Sequence, residues 1–161
     1  MSTADGADPV LPRRVAGAGR PSYERFSALT TLYDRQVLVV IDTVLSELRL
    51  LIPGVHGCVL GGVDGLLITH NLPDDSDPSD LAALAATTFG LGRQVGLRLG
   101  QGGFRESTVR NQQGYLSVYT AGERALLAVV GADTVNVARL HLHAPVAADR
   151  LAALLAADRE S

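Results

Sequence analysis

The chain has 161 residues, of which 47% are hydrophobic and 19% charged, with a formal net charge of −3 and a pI near 5.7. This balance suits one globular domain rather than a disordered segment. The lack of a basic patch argues against a nucleic-acid or anionic-membrane partner, and no apolar run approaches the ~20 residues that a bilayer span requires.

Residues 1–22 show no apolar period and read as a flexible tail, with Arg13, Arg14 and Arg20 as solvated charges. The first residues form neither a basic n-region nor an apolar h-region, so secretion is not expected and a cytoplasmic location is. From 26 to 52 the apolar positions 26, 29, 33, 37, 40, 44, 48 and 51 keep helical spacing, which predicts a long first helix. Within it, Val37-Leu38-Val39-Val40-Ile41 is β-branched and apolar on every face, so a strand is defensible locally. The period on both sides favours helix, and apolarity all round near a surface would imply a partner.

Pro53-Gly54 stops that helix. Cys58-Val59-Leu60 and Leu66-Leu67-Ile68 flank Val63-Asp64-Gly65, and Asp-Gly between two apolar runs predicts a hairpin. The single cysteine, Cys58, excludes a disulfide framework and reads as a small buried hydrophobe in the first strand. In the acidic loop that follows, Asp77 suits an N-cap, Pro78 the first helical position and Asp80 the third. The second helix carries a stripe of Leu81, Leu84, Thr88, Leu91, Val95 and Leu99. Its neighbours are small, and Gly90, Gly92 and Gly96 each cost up to ~1 kcal/mol against alanine, so something must come close there, sheet or helix.

Gly100-Gln101-Gly102-Gly103 ends the helix. Residues 104–110 alternate but are polar on both faces, which suits an edge strand. Residues 111–114 form a turn, and 115–120 and 125–130 follow as strands, the second apolar throughout and therefore central. A last helix is expected from about Asp133-Thr134, kinked or divided at Pro145, with 146–157 as its final segment. The fold class is then α/β, in the order α-β-β-α-β-β-β-α. It comprises a mostly antiparallel five-stranded sheet with helices on both faces, in one domain over 23–157 with 158–161 as a short tail.

Candidate chemistry is thin. All fourteen basic residues are arginine, which suggests a GC-rich bacterial genome and removes both a P-loop lysine and a Schiff-base lysine. His141 and His143, two apart, point to different sides of a helix and make a poor metal pair. His56 and His70 fall at opposite ends of the first hairpin and read as surface or strand-end residues. The acidic run 74–80 lacks the central glycine and twelfth-position glutamate of a calcium loop. The glycines follow strands and helices in the wrong order for a phosphate cradle, and no Gly-x-Ser-x-Gly elbow exists. No catalytic residue, cofactor or metal is expected.

The order helix, Pro53-Gly54-Val55, strand, Asp64-Gly65-Leu66, strand, helix resembles the roadblock (dynein light chain) family. The resemblance extends over residues 36–155, through the Leu-Ala-Ala-Leu-Ala start of the second helix, Gly114-Tyr115-Leu116 and the strand at Ala125-Leu126-Leu127. It departs in the extended first helix, in Phe104-Arg105-Glu106 and at Pro145. The resemblance implies a non-catalytic homodimer that regulates or scaffolds a Ras-like small GTPase in bacteria; the alternative is an adaptor or small-ligand sensor without a GTPase. It also implies that the edge strand meets its copy across a two-fold axis while the second helices lie together. The dimer interface is then expected at Glu106, Thr108 and Arg110 with Leu84, Thr88, Leu91 and Val95. In an antiparallel self-pair centred on Thr108, Glu106 faces Arg110 of the other copy.

Overall fold

The computed structural model describes residues 32–161; the expected tail at 1–22 and the first residues of the expected helix, 26–31, lie outside them. Helix α1, Arg35–Leu51, is capped by Asp34, whose carboxylate accepts the Gln36 N–H at 2.9 Å. Asp34 has an extended ψ of 136°, so the continuous helix expected from residue 26 is corrected to one that begins at Arg35. Apolar spacing at 26, 29 and 33 carried no information about this cap, where a short carboxylate competes for the backbone donors. Ile41, Val44, Leu45 and Leu48 form the buried row of α1, while Val39 and Val40 face solvent.

Strand β1, Val55–Gly62, pairs with β2, Leu67–His70, around the Asp64-Gly65 turn. Gly65 takes a φ of +86°, and Asp64 Oδ1 accepts the Leu66 N–H. Gly54, at φ +92°, accepts the Ala132 N–H through its carbonyl, which ties the stop of α1 to the end of the central strand. Helix α2 is Pro78–Leu99, with the Asp77 carboxylate accepting from Ser79 and Asp80 N–H and Gly100 closing it in the left-handed conformation. Strands β3, Glu106–Asn111, β4, Gly114–Ala121, and β5, Ala125–Ala132, follow as two hairpins.

Helix α3, Val137–Glu160, starts later than expected because Asn136, not Asp133 or Thr134, supplies the capping carbonyl. It runs unbroken through Pro145 and through most of the expected tail at 158–161. The C-terminal turn is held by Asp158 Oδ1, which accepts the Asp34 N–H at 3.2 Å.

The sheet order is β2-β1-β5-β4-β3, antiparallel at every pair, with β5 central and β2 and β3 at the edges. Alternate residues of the strands feed two cores. Cys58, Leu60, Tyr119, Leu127 and Val129 pack under α1 and α3; Val59, Val118, Leu126 and Ala128 pack under α2. The alanines of α2, Ala82 and Ala85, let that helix lie close to the sheet.

Candidate functional site

Strand β3 lies at the sheet edge, bonded on one side to β4 from Glu106↔Tyr119 to Asn111↔Gly114. Among the described residues no strand covers its other side. It carries no proline and no bulge in its pairing, devices that commonly blunt an edge.

Helix α2 overhangs this edge. At 100° per residue, Leu84, Thr88, Leu91 and Val95 fall within about 60° of one another, roughly a third of a turn from the Ala82 and Ala85 row that packs on the sheet. Leu91 is 69% exposed, Leu84 53% and Val95 44%, high values for side chains on one stripe. A groove of about 430 Å³ joins the stripe to the root of β3, with Thr88, Leu91 and Val95 on one wall and Phe104 and Ser107 on the other. Apolar helix face and free strand edge thus form one continuous surface.

Two of the three helical glycines serve this junction. A side chain on Gly92 would collide with the Phe104 ring, and one on Gly96 with the Gly102 carbonyl at 2.5 Å. The close approach expected from sequence is therefore made by the chain's own returning loop. Gly90 has open space around its Cβ position, on the outer side of the helix.

The expected interface residues divide between the two faces of the sheet. Thr88, Leu91 and Val95 meet at the groove, and Leu84 lies about a turn beyond them. Thr108 and Arg110 project to the opposite face, Thr108 toward His141 and Arg110 over the Tyr115 ring at 5.6 Å.

That opposite face holds a polar cluster that the sequence reading missed. The cross-strand pairs Glu106↔Tyr119 and Thr108↔Ser117 place four polar side chains side by side, and His141 of α3 covers them. The Tyr119 hydroxyl lies 2.8 Å from His141 Nδ1, Glu106 Oε1 3.4 Å from the same nitrogen, and the Thr108 and Ser117 hydroxyls 2.9 Å apart. Burial pushes the Tyr119 hydroxyl far above its ordinary range; the Glu106 carboxylate adds to this, and a hydrogen bond with Ser117 opposes it. Tyr119 and His141 share one hydrogen bond at Nδ1, with the Glu106 carboxylate beside the same nitrogen. Period-two polar positions on two neighbouring strands were the available signal, but His141 joins them only through the packing of α3.

The chemistry of the cluster is that of a clamp between helix and sheet. Ser117 is fully buried, and Thr108 Oγ1 stands 3.5 Å from His141 Nε2, too far for an activated nucleophile. Among the described residues no group of three or more His, Cys, Asp or Glu side chains could hold a metal ion. Cys58 is buried, and burial pushes its thiol up to about 12, outweighing the nearby Arg49 charge. His70 is pushed down by burial, partly offset by the Asp42 and Asp74 carboxylates; its Nδ1 accepts the Leu72 N–H at 3.1 Å.

A family model for the Roadblock/LC7 domain matches residues 40–132, from α1 to the end of β5. The chain belongs to the Roadblock/LC7 family. An uncharacterized protein of Methanocaldococcus jannaschii is 30% identical over 115 residues, covering 71% of this chain and 96% of the relative. The solved Roadblock/LC7 domain from Streptomyces avermitilis is 30% identical with a TM-score of 0.59, covering 74% of this chain and 94% of that one. An MglB described with a tetrameric arrangement is 25% identical with a TM-score of 0.70, covering 76% and 91%. Among the described residues, the order of three helices and five strands is that of the Roadblock/LC7 fold, and the matched region contains both the α2 stripe and β3.

Proposed function

We propose that this Roadblock/LC7 chain is a homodimeric, non-catalytic binding platform, and that a Ras-like small GTPase is its partner. The observation that carries the dimer is the continuity of the free β3 edge with the exposed Leu84, Leu91 and Val95 stripe. A monomer would leave both an unpaired row of backbone donors and an apolar helix face in water. An isologous contact covers both at once: β3 pairs antiparallel with its copy about Thr108, Glu106 meets Arg110 of the other copy, and the two α2 stripes close over the junction. An MglB of tetrameric arrangement shares the fold, which supports self-association. The GTPase partner rests on the family resemblance to bacterial regulators of such enzymes, and the proposed location is cytoplasmic.

Light scattering at tens of micromolar tests the platform, with a dimer of twice 16.9 kDa expected. Leu91→Asp, on the exposed stripe, and Thr108→Pro, which removes a ladder donor, should each give monomer or aggregate. A native monomer, or a Leu91→Asp chain that stays dimeric, overturns the assignment of this surface. For the partner, the measurement is GTP hydrolysis by a Ras-like GTPase from the same gene neighbourhood, with and without this chain. The chain alone should neither bind nor turn over GTP. An unchanged rate together with no co-elution favours the adaptor reading.

A further inference from the structure

His141 of α3 stands against the β3 edge, and two titratable groups face its ring there, Glu106 of β3 and Tyr119 of β4. Glu106 Oε1 lies 3.4 Å and the Tyr119 hydroxyl 2.8 Å from Nδ1, while Thr108 Oγ1 is 3.5 Å from Nε2. On α3 itself, one turn either way, Val137, Ala138, Ala144 and Pro145 carry no charge. The next charged group along β3, Arg110, is drawn over the Tyr115 ring. Among the described residues, His141 is thus the one cation, when protonated, within ion-pair distance of Glu106. The His141 and Glu106 side chains are 31% and 42% exposed, so a proton reaches the ring without unfolding and the carboxylate can turn outward.

Glu106 has a second claimant. In an antiparallel self-pair centred on Thr108, Arg110 of the other copy lies directly opposite Glu106, with Cβ atoms ~5 Å apart. The Thr108 side chains of the two copies meet at the axis, and each is covered by its own His141, so both rings flank the two-fold.

We propose that His141 is a proton-operated positioning residue for this edge, and that its protonation loosens the dimer; this rests on the β3 self-pairing put forward above. With His141 neutral, the Glu106 carboxylate is free to pair with Arg110 of the other copy. When the ring takes up a proton, its Nδ1–H holds Glu106 in the cluster. Two imidazolium charges then also stand beside two guanidinium groups about one axis. Both effects have the same sign. The dimer binds fewer protons than two monomers, so association weakens as pH falls through the range, about 5 to 8, in which histidine changes charge. Because both side chains are partly solvated, each site should shift the dissociation constant by about threefold and the two sites of a dimer by about tenfold. By reciprocity, dimerisation lowers the pH at which His141 titrates.

Sedimentation equilibrium of the full chain should show the dissociation constant rising about tenfold from about pH 7.5 to about pH 5.5, with far-UV circular dichroism unchanged. His141→Gln, which keeps a hydrogen-bonding group that does not titrate, should remove most of the rise. His56→Gln, in β1 and away from the edge, should retain it. A dimer whose constant does not move with pH overturns the switch and leaves the platform reading standing, as does a rise that persists in His141→Gln. A chain that is monomeric at both pH values removes both. Should His141→Gln fail to fold, or acid alter the circular dichroism, proton NMR of chains with native His141 decides. The His141 ring signal, identified by its Overhauser contact with Thr108, should titrate at lower pH in the native dimer than in the Leu91→Asp monomer. Equal midpoints overturn the proposal.

Discussion

The Phe104 ring occupies the space that a side chain on Gly92 would need. The same ring stands edge-on to Phe89, with centroids 5.3 Å apart and planes at 88°, so the loop after α2 is locked onto the helix it has just left. Gly92→Ala should destabilise the chain by about 1–2 kcal/mol, since displacing a packed ring costs more than the ~1 kcal/mol gained in helix propensity. In chemical denaturation the combination with Phe104→Leu should cost less than the sum of the single changes, because the smaller side chain relieves the clash.

Removing the Tyr119 hydroxyl tests the clamp between α3 and the sheet. Tyr119→Phe keeps the buried ring but deprives His141 Nδ1 of its 2.8 Å partner, and a loss of about 1 kcal/mol is expected. A double-mutant cycle with His141→Ala should return a coupling of similar size. Strict additivity would show that the contact adds nothing.

The start of α2 depends on one carboxylate. Asp77→Ala leaves the Ser79 and Asp80 N–H groups without their acceptor and should cost about 1 kcal/mol, read as a fall of roughly 3–5 °C in Tm. Asp77→Asn, which keeps a capping oxygen, should recover most of it.

Cys58 gives the pH dependence. Its folded pKa, about 12, lies above the ordinary 9.0, so the fold favours the neutral thiol. The resulting stability is fully present below pH 9.0 and is lost as pH rises toward 12. A thiol reagent at about pH 8 should therefore modify the chain only at the rate of unfolding or local opening, and Cys58→Ala should flatten the alkaline limb of the stability curve. Rapid modification of the folded chain would contradict the burial.

Elements whose cause lies within a few residues were legible in the sequence. Asp77-Pro78 specifies a helix start through its own carboxylate and fixed φ, and Asp64-Gly65 specifies a turn through a positive φ that glycine takes without strain. The unbroken apolar run of β5 places that strand in the middle of the sheet, because only a central strand is covered on both faces. Polar residues on both faces of β3 mark the edge for the converse reason.

What depends on distant parts of the chain was decided by packing. The pairing of β1 with β5 joins residues about seventy positions apart, and no local signal names that partner. Helix α3 runs unbroken through Pro145, where sequence offered a kink or a break; burial of Ala144, Ala147, Ala148 and Leu151 against the sheet outweighs one lost backbone hydrogen bond. The meeting of His141 with Glu106, Thr108, Ser117 and Tyr119 requires a helix, an edge strand and its neighbour to be in register at once. Sequence alone determined where the backbone must turn, cap or extend, because those preferences are properties of single residues and their nearest neighbours. Only the tertiary structure decided which faces were covered and which stayed open, because burial is settled by elements far apart in the chain.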